Sequence, residues 1–348
     1  MKLGFLRRFS RDLGIDLGTT NTLISMQGKG IVIHEPSCVA VNMRTGQVLS
    51  VGEEARTMIG RCPAHIHVTN PLERGIIADF EVTEKMLRYF FEKIHRDKKF
   101  FSPRPRVVMA VPLDVTEVER KAVGDAAISA GASEVFLIEC PLAAAMGIGL
   151  PVSDPIGSMI VDLGGGTTEI SVISLNGIVT SKSIAIAGDE LNKNIIQYAR
   201  DVFNLLLGER VAEEVKLKAG SATHLEKRIE IELRGRDLVS GLPREITVND
   251  GQIREAISRS IKAIIDHIKS ILEITPPELV ADIYKSGIVL TGGGSLLQGI
   301  DQAISEGTGL PVRIADDPLA SVVKGCAIVL QSEKLLADMT VSAASLMS

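Results

Sequence analysis

The 348-residue chain contains no tryptophan, and aromatic residues make up only 3% of it. That scarcity disfavours a surface that stacks successive nucleobases. Net charge is -5, and no long basic patch exists, which argues against nucleic acid as a partner. Four scattered cysteines, Cys38, Cys62, Cys140 and Cys326, form no C-x-x-C pair. A disulfide scaffold and a zinc site are therefore disfavoured, and a reducing cytoplasm fits. No apolar run approaches membrane-spanning length. The N-terminal apolar run is short and broken by arginine, so no cleavable signal peptide is expected. What the chain does hold is core material: it is 45% hydrophobic, with mean hydropathy +0.22. Its length suits two domains or one bilobal unit.

Two short segments are near copies. Asp16-Leu17-Gly18-Thr19-Thr20-Asn21-Thr22 and Asp162-Leu163-Gly164-Gly165-Gly166-Thr167-Thr168-Glu169 each follow an apolar run. Each has an Asp at the strand end, then small residues, then an alternating apolar pattern. The unit is therefore a β-hairpin rather than a strand-to-helix loop. Glycines let backbone N–H groups approach an anion and hydroxyls add donors, so such a turn suits phosphate. Asp16 and Asp162 suit a hydrated Mg²⁺, which keeps several waters and takes few protein ligands. One copy in each half points to a duplicated domain gripping one nucleotide from both sides.

Apolar spacing predicts a helix over 83–99 with Thr83 as N-cap, a strand over 106–111, a helix over 116–130 and a strand over 135–138. Pro141 opens an Ala-rich helix. Helices are expected from Gly188 or Asp189 to about 207, over 210–219, and over 250–274 capped by Asp250. Strands are expected over 229–233 and 245–248, around a polar turn at Gly235 and Gly241. A strand over 287–290 leads into Thr291-Gly292-Gly293-Gly294-Ser295, followed by a helix over 296–305 and a frayed tail over 339–348. The alternation places the chain in the α/β class. The glycine loop after a strand favours close ligand approach and reads as the floor under a nucleoside. The division expected is a segment 1–11, domains over 12–150 and 151–335, and a tail over 336–348.

Asp-Leu-Gly-Thr-Thr-Asn, Val-Asp-Leu-Gly-Gly-Gly-Thr-Thr-Glu and Leu-Thr-Gly-Gly-Gly-Ser resemble the phosphate 1, phosphate 2 and adenosine motifs of the actin-like ATPase superfamily. Gly28-Lys29-Gly30-Ile31-Val32, Glu35-Pro36-Ser37, Gly75-Ile76-Ile77-Ala78-Asp79-Phe80, Ala187-Gly188-Asp189, Gly208-Glu209-Arg210, Ser240-Gly241-Leu242-Pro243-Arg244 and Thr275-Pro276-Pro277-Glu278-Leu279 narrow the likeness. Over residues 11–330 the chain resembles the MreB family of bacterial actins. The resemblance implies an actin-like, ribonuclease-H-like α/β fold of duplicated domains, with four subdomains around a central nucleotide cleft. It implies ATP with Mg²⁺, self-assembly into double protofilaments, and a cytoplasmic protein peripheral on the inner face of the cell membrane. Paralogous subunits and shape-determining membrane proteins would be its partners. By the same resemblance Asp16 and Asp162 would hold the Mg²⁺ shell. Thr19, Thr20 and Asn21, with Gly164, Gly165, Gly166 and Thr167, would line the phosphates, and Thr167 would help position the attacking water. Glu213, Glu214, Val215 and Lys216 would lie near the ribose and adenine, and Gly293, Gly294, Ser295 and Leu296 would contact the nucleoside.

One departure stands out. The family places two acids before a proline, and the acid next to proline orients the hydrolytic water; here the stretch is Ile138-Glu139-Cys140-Pro141. A thiol is a weak acceptor beside a carboxylate. Glu139 is the possible substitute, yet adjacent side chains in extended backbone point to opposite sides. Hydrolysis is expected to be weakened and nucleotide binding kept, because phosphoryl transfer rests on positioning; the plainer alternative is that Cys140 is simply a small buried residue.

Residues 1–11 carry four basic residues and no acid alongside Leu3, Phe5, Leu6 and Phe9. As a helix this segment puts much of its apolar set on one side and suits a membrane interface; docking on the protein body is the alternative. Phe100 and Phe101, beside Lys98 and Lys99, form a second candidate contact by the resemblance. Non-polymerising ATPases of the same superfamily remain the competing function. A sugar kinase would need an Asp base for a hydroxyl, which is not evident, and a chaperone would need a peptide-binding domain, for which no segment is expected.

Overall fold

The computed structural model describes residues 12–95 and 104–343, which fall into two compact units. One takes the described residues up to 156, 173–178 and those from 319 onward; the other takes 157–172 and 179–318. Packing thus does not follow a single cut near residue 150.

Both units share one strand plan. The sheet of the first runs in the order Val341–Ser342, Glu134–Glu139, Arg106–Val111, Leu13–Leu17, Asn21–Met26 and Gly30–Pro36. Glu134–Glu139, Arg106–Val111 and Leu13–Leu17 are parallel, and the chain then folds back antiparallel through two hairpins. The sheet of the second runs Gly177–Ile184, Thr168–Ser174, Ser158–Leu163, Ile288–Thr291, Val312–Ile314, the last three parallel. Parallel neighbours need crossovers, which the helices supply.

Parallel strands covered on both faces read as continuous apolar runs. Val107, Val108 and Met109 in the first unit and Ile160 and Val161 in the second are fully buried. Helix Phe80–His95 adds Met86, Leu87 and Phe90 to the first core. Helix Asp250–Ile274 lays Ile253, Ile257, Ile261, Ile264, Ile268 and Ile271 on the second, the spacing of one helical face. In the first unit, helices Cys140–Gly147 and Ser321–Val329 meet through glycines. A Cβ on Gly147 would lie 1.9 Å from the Ser321 carbonyl oxygen, and one on Gly325 would lie 1.8 Å from that of Ala143.

Several expectations shift. The helix expected from Thr83 begins at Phe80, because the Asp79 carboxylate takes the Val82 N–H at 3.0 Å. Thr83 is buried inside it, its hydroxyl donating to the Asp79 carbonyl. Asn249, not Asp250, caps the long helix, in a reciprocal capping box with Gln252. The helix from Gly188 stops at Phe203, where Asn204 turns left-handed (φ 51°) and starts strand Leu205–Leu206. Gly235 lies inside strand Glu230–Asp237 rather than in a turn, since its missing side chain admits Leu205 and Leu206. After the third glycine loop comes a 3-10 turn, Gly293–Leu296, and the helix waits until Ile300. Helix Pro277–Ser286 opens on proline, a position that tolerates the missing N–H. The expected frayed tail is ordered in its described part: helix Glu333–Met339 precedes Val341–Ser342, which pairs with Phe136–Leu137.

Candidate functional site

In the first unit the chemistry gathers at the carboxyl ends of the parallel strands, the edge where open α/β sheets place ligands. Asp16 stands level with Ala110, and Ala110 with Ile138, so Asp16 and Glu139 reach the same edge. The hairpin that follows is held by its carbonyls. Gly18 N–H donates to Asn21 O at 3.1 Å, Ser37 N–H to Thr20 O at 2.9 Å, and the Ser37 hydroxyl to Gly18 O at 2.6 Å. Thr22 and Ser37 hydroxyls share a bond of 2.8 Å. Thr19 Oγ1 accepts the Gly75 N–H at 2.7 Å, which ties residue 75 to the loop. Gly75 has φ 76°, and a Cβ there would strike Pro112 Cγ at 2.4 Å, so only glycine fits. Thr20 is exposed and Asn21 partly so. Glu139 is the residue before helix Cys140–Gly147 and Cys140 its first residue; both are half-buried.

The second unit repeats the device. Gly164 N–H donates to Thr167 O at 2.9 Å, and helix Gly188–Phe203 supplies Gly188 N–H to Gly164 O at 3.1 Å and Asp189 N–H to Gly165 O at 2.8 Å. The carbonyls of Gly164, Gly165 and Thr167 are thereby spent on the protein. Among the described residues no backbone acceptor takes the N–H groups of Gly165, Gly166 or Thr167, which form a donor nest. Asp162 is level with Thr291 on the neighbouring parallel strand. Gly292 follows with φ 77°, and a Cβ on it would lie 2.3 Å from Asp162 Oδ1. The third glycine loop therefore leans directly on the acid of the hairpin, and Gly294 packs on Leu163.

Burial pushes the Asp162 carboxyl up to about 6. Such a carboxylate lacks compensating charge, the setting that a hydrated dication relieves. No group of three His, Cys, Asp or Glu gathers among the described residues, so a Mg²⁺ at Asp162 or Asp16 would complete its shell with water and phosphate oxygens. Burial also raises the Asp189 carboxyl, with Lys216 opposing.

Around helix Glu209–Ala219 the expected residues part company. Glu213 and Lys216 face the hairpin: Lys216 Nζ donates to Glu213 Oε2 at 2.7 Å and to Gly188 O at 3.0 Å. Glu214 instead pairs with Lys218 on the exposed side, and Val215 is buried in the core. Ser295 is also buried, its hydroxyl turned back to Gly292 O at 2.7 Å, while Leu296 is exposed. Gly75, Gly188, Asp189 and Asn192 join these clusters without having been singled out for a role; the Gly75-Ile76-Ile77-Ala78-Asp79-Phe80 and Ala187-Gly188-Asp189 text hinted at three of them, and nothing hinted at Asn192. Leu3, Phe5, Leu6, Phe9, Phe100 and Phe101 lie outside the described residues.

A family model described as MreB/Mbl protein matches residues 10–338. The cell shape-determining protein Mbl of Bacillus cereus is 49% identical over 324 residues, covering 93% of this chain and 97% of that protein. The cell shape-determining protein MreB of Escherichia coli K12 is 50% identical over 325 residues, covering 92% and 93%. Among solved structures, MreB5 of Spiroplasma citri bound to ADP superposes with TM-score 0.88 at 36% identity, covering 92% of this chain and 96% of that one. The MamK double helical filament, at 21% identity and TM-score 0.78, shares the fold.

Proposed function

The chain belongs to the MreB/Mbl family of actin-like proteins, and from that premise we propose that it is an ATP-binding cytoskeletal subunit. It assembles with copies of itself into filaments at the inner face of the cell membrane and helps determine cell shape. The observation that carries the nucleotide reading is the hairpin at Gly164–Thr167. The Gly164 and Gly165 carbonyls are bound by the N-terminus of helix Gly188–Phe203, and the N–H groups of Gly165, Gly166 and Thr167 meet no backbone acceptor among the described residues. Nucleotide binding is also what the MreB5 structures carry, one with ADP and one with AMPPNP.

Within this reading Gly165, Gly166 and Thr167, and likewise Thr19, Thr20 and Asn21, are phosphate-binding residues. Asp16 and Asp162 hold the water shell of Mg²⁺, which when bound neutralises phosphate charge. Glu213 and Lys216 meet the ribose and adenine. Cys140 occupies the place of the water-orienting acid, and its thiol accepts a hydrogen bond poorly. Binding is therefore retained and hydrolysis slowed. The apolar residues of segment 1–11, with Phe100 and Phe101, are the groups this reading assigns to the lipid surface.

The test is phosphate release from Mg-ATP by the purified protein and by a Cys140→Glu variant, under conditions where both pellet as polymer. A silent wild type and an active variant support the reading. Equal turnover assigns the water-positioning role to another group such as Glu139, and absence of ATP-dependent pelleting removes the filament reading.

A further inference from the structure

Asn192 lies one turn into helix Gly188–Phe203, and its Nδ2 donates to Glu213 Oε2 at 2.6 Å. A carboxylate only accepts, so the amide nitrogen must face Glu213 and the assignment of its two ends is settled by chemistry. The other end, Oδ1, is then buried and accepts no hydrogen bond from the described residues. An unmet buried acceptor is unfavourable, and folds retain few of them. This one is retained where two donors, Asn192 Nδ2 and Lys216 Nζ, converge on the same carboxylate oxygen. Glu213 keeps 40% of its side chain exposed, so pinning Oε2 turns Oε1 outward with a fixed direction. Lys216 in turn holds Gly188 O, and Gly188 N–H holds Gly164 O. A continuous chain of bonds therefore runs from the glycine hairpin to Asn192.

We propose that Asn192 is a positioning residue that, with Lys216, fixes Glu213 so that its free oxygen receives a ribose hydroxyl of the bound nucleotide. The proposal rests on the nucleotide reading above. It gives Asn192 no contact with the phosphates and no part in hydrolysis. Its effect is exerted through the sugar hydroxyls, which donate to the free carboxylate oxygen that it fixes.

Equilibrium binding of ATP and of 2′,3′-dideoxy-ATP to the wild type, Asn192→Leu and Asn192→Ser separates the possibilities, with thermal unfolding of each protein alongside. The wild type is expected to prefer ATP by about tenfold, the worth of one hydrogen bond to a charged group. Both variants are expected to lose most of that preference while binding the dideoxy nucleotide as the wild type does. A preference that survives in a folded variant, or an equal loss of affinity for both nucleotides, overturns the proposal and leaves Asn192 a structural residue. A wild type that binds neither nucleotide overturns the nucleotide reading itself.

Discussion

Replacing Gly325 by alanine sets two effects of opposite sign against each other. Gly325 lies within helix Ser321–Val329, where alanine is favoured over glycine by about 1 kcal/mol. Helix propensity alone thus predicts a more stable protein. The packing predicts the reverse. The new Cβ would lie 1.8 Å from the Ala143 carbonyl oxygen, 2.4 Å from its carbon and 2.8 Å from its Cα. All three are backbone atoms, so no side chain can rotate out of the way. The two helices must part by roughly 1.5 Å to reach ordinary contact. Overpacking costs about 1–3 kcal/mol, and a backbone clash belongs at the upper end. After the propensity gain the net loss is about 2 kcal/mol, or roughly 4–8 °C in the unfolding midpoint for a unit of this size. Differential scanning calorimetry reads this directly. A midpoint that is unchanged or raised would refute the reasoning, because it would mean that the helices separate freely.

Asp12 accepts three bonds from Arg106, whose remaining partner, Glu333, is 76% exposed; Asp12→Ala should cost about 2–4 kcal/mol in urea unfolding, and a value near zero would remove that pair from the account of the fold. In the native protein a disulfide reagent at pH 8 should modify Cys62 and Cys140 and spare Cys38, pushed up to about 11 by burial, and Cys326, also raised by burial; equal rates for all four would contradict the packing. Backbone N–H of Ser240, then the Arg244 guanidinium, hold the Asp237 carboxyl down at about 2, against 3.8 for the free group. Its ordering of turn 238–242 is therefore fully present above the free-group value and lost as pH falls through about 2. Amide exchange at Val239 and Ser240 should rise across that window in the wild type and be raised throughout in Asp237→Asn; a wild type flat with pH would count against the carboxylate. Asn249→Ala should cost about 1 kcal/mol by removing the capping box, and an unaltered urea midpoint would show that the cap contributes nothing.

Much of the candidate site's backbone was legible because its signals are local. A strand-end Asp followed by small residues needs only its own backbone to make a hairpin, and Asp16 and Asp162 sit where alternation placed them. The elements that moved are those where a neighbour overrode the local signal. Asp79 captured a helix start from Thr83. Gly235 served the close approach of Leu205 and Leu206 instead of a turn. The apolar content after Leu330 did not reveal that Val341–Ser342 would join a sheet beside Phe136, some 200 residues earlier.

The sequence by itself determined the duplicated α/β plan and the two glycine- and threonine-bearing turns, since periodicity, glycine and hydroxyl content act within a few residues, and its motif text carried the family resemblance. Only the tertiary structure decided which side chains reach the site. On one short helix Glu213 and Lys216 turn to the hairpin while Glu214 and Val215 turn away. Helix Gly188–Phe203 spends its first N–H groups on the loop's carbonyls, and Asn192 finds Glu213 from 21 residues away. These pairings depend on how helices dock on a sheet. Such docking is set by packing across long sequence separations, which a local pattern does not encode.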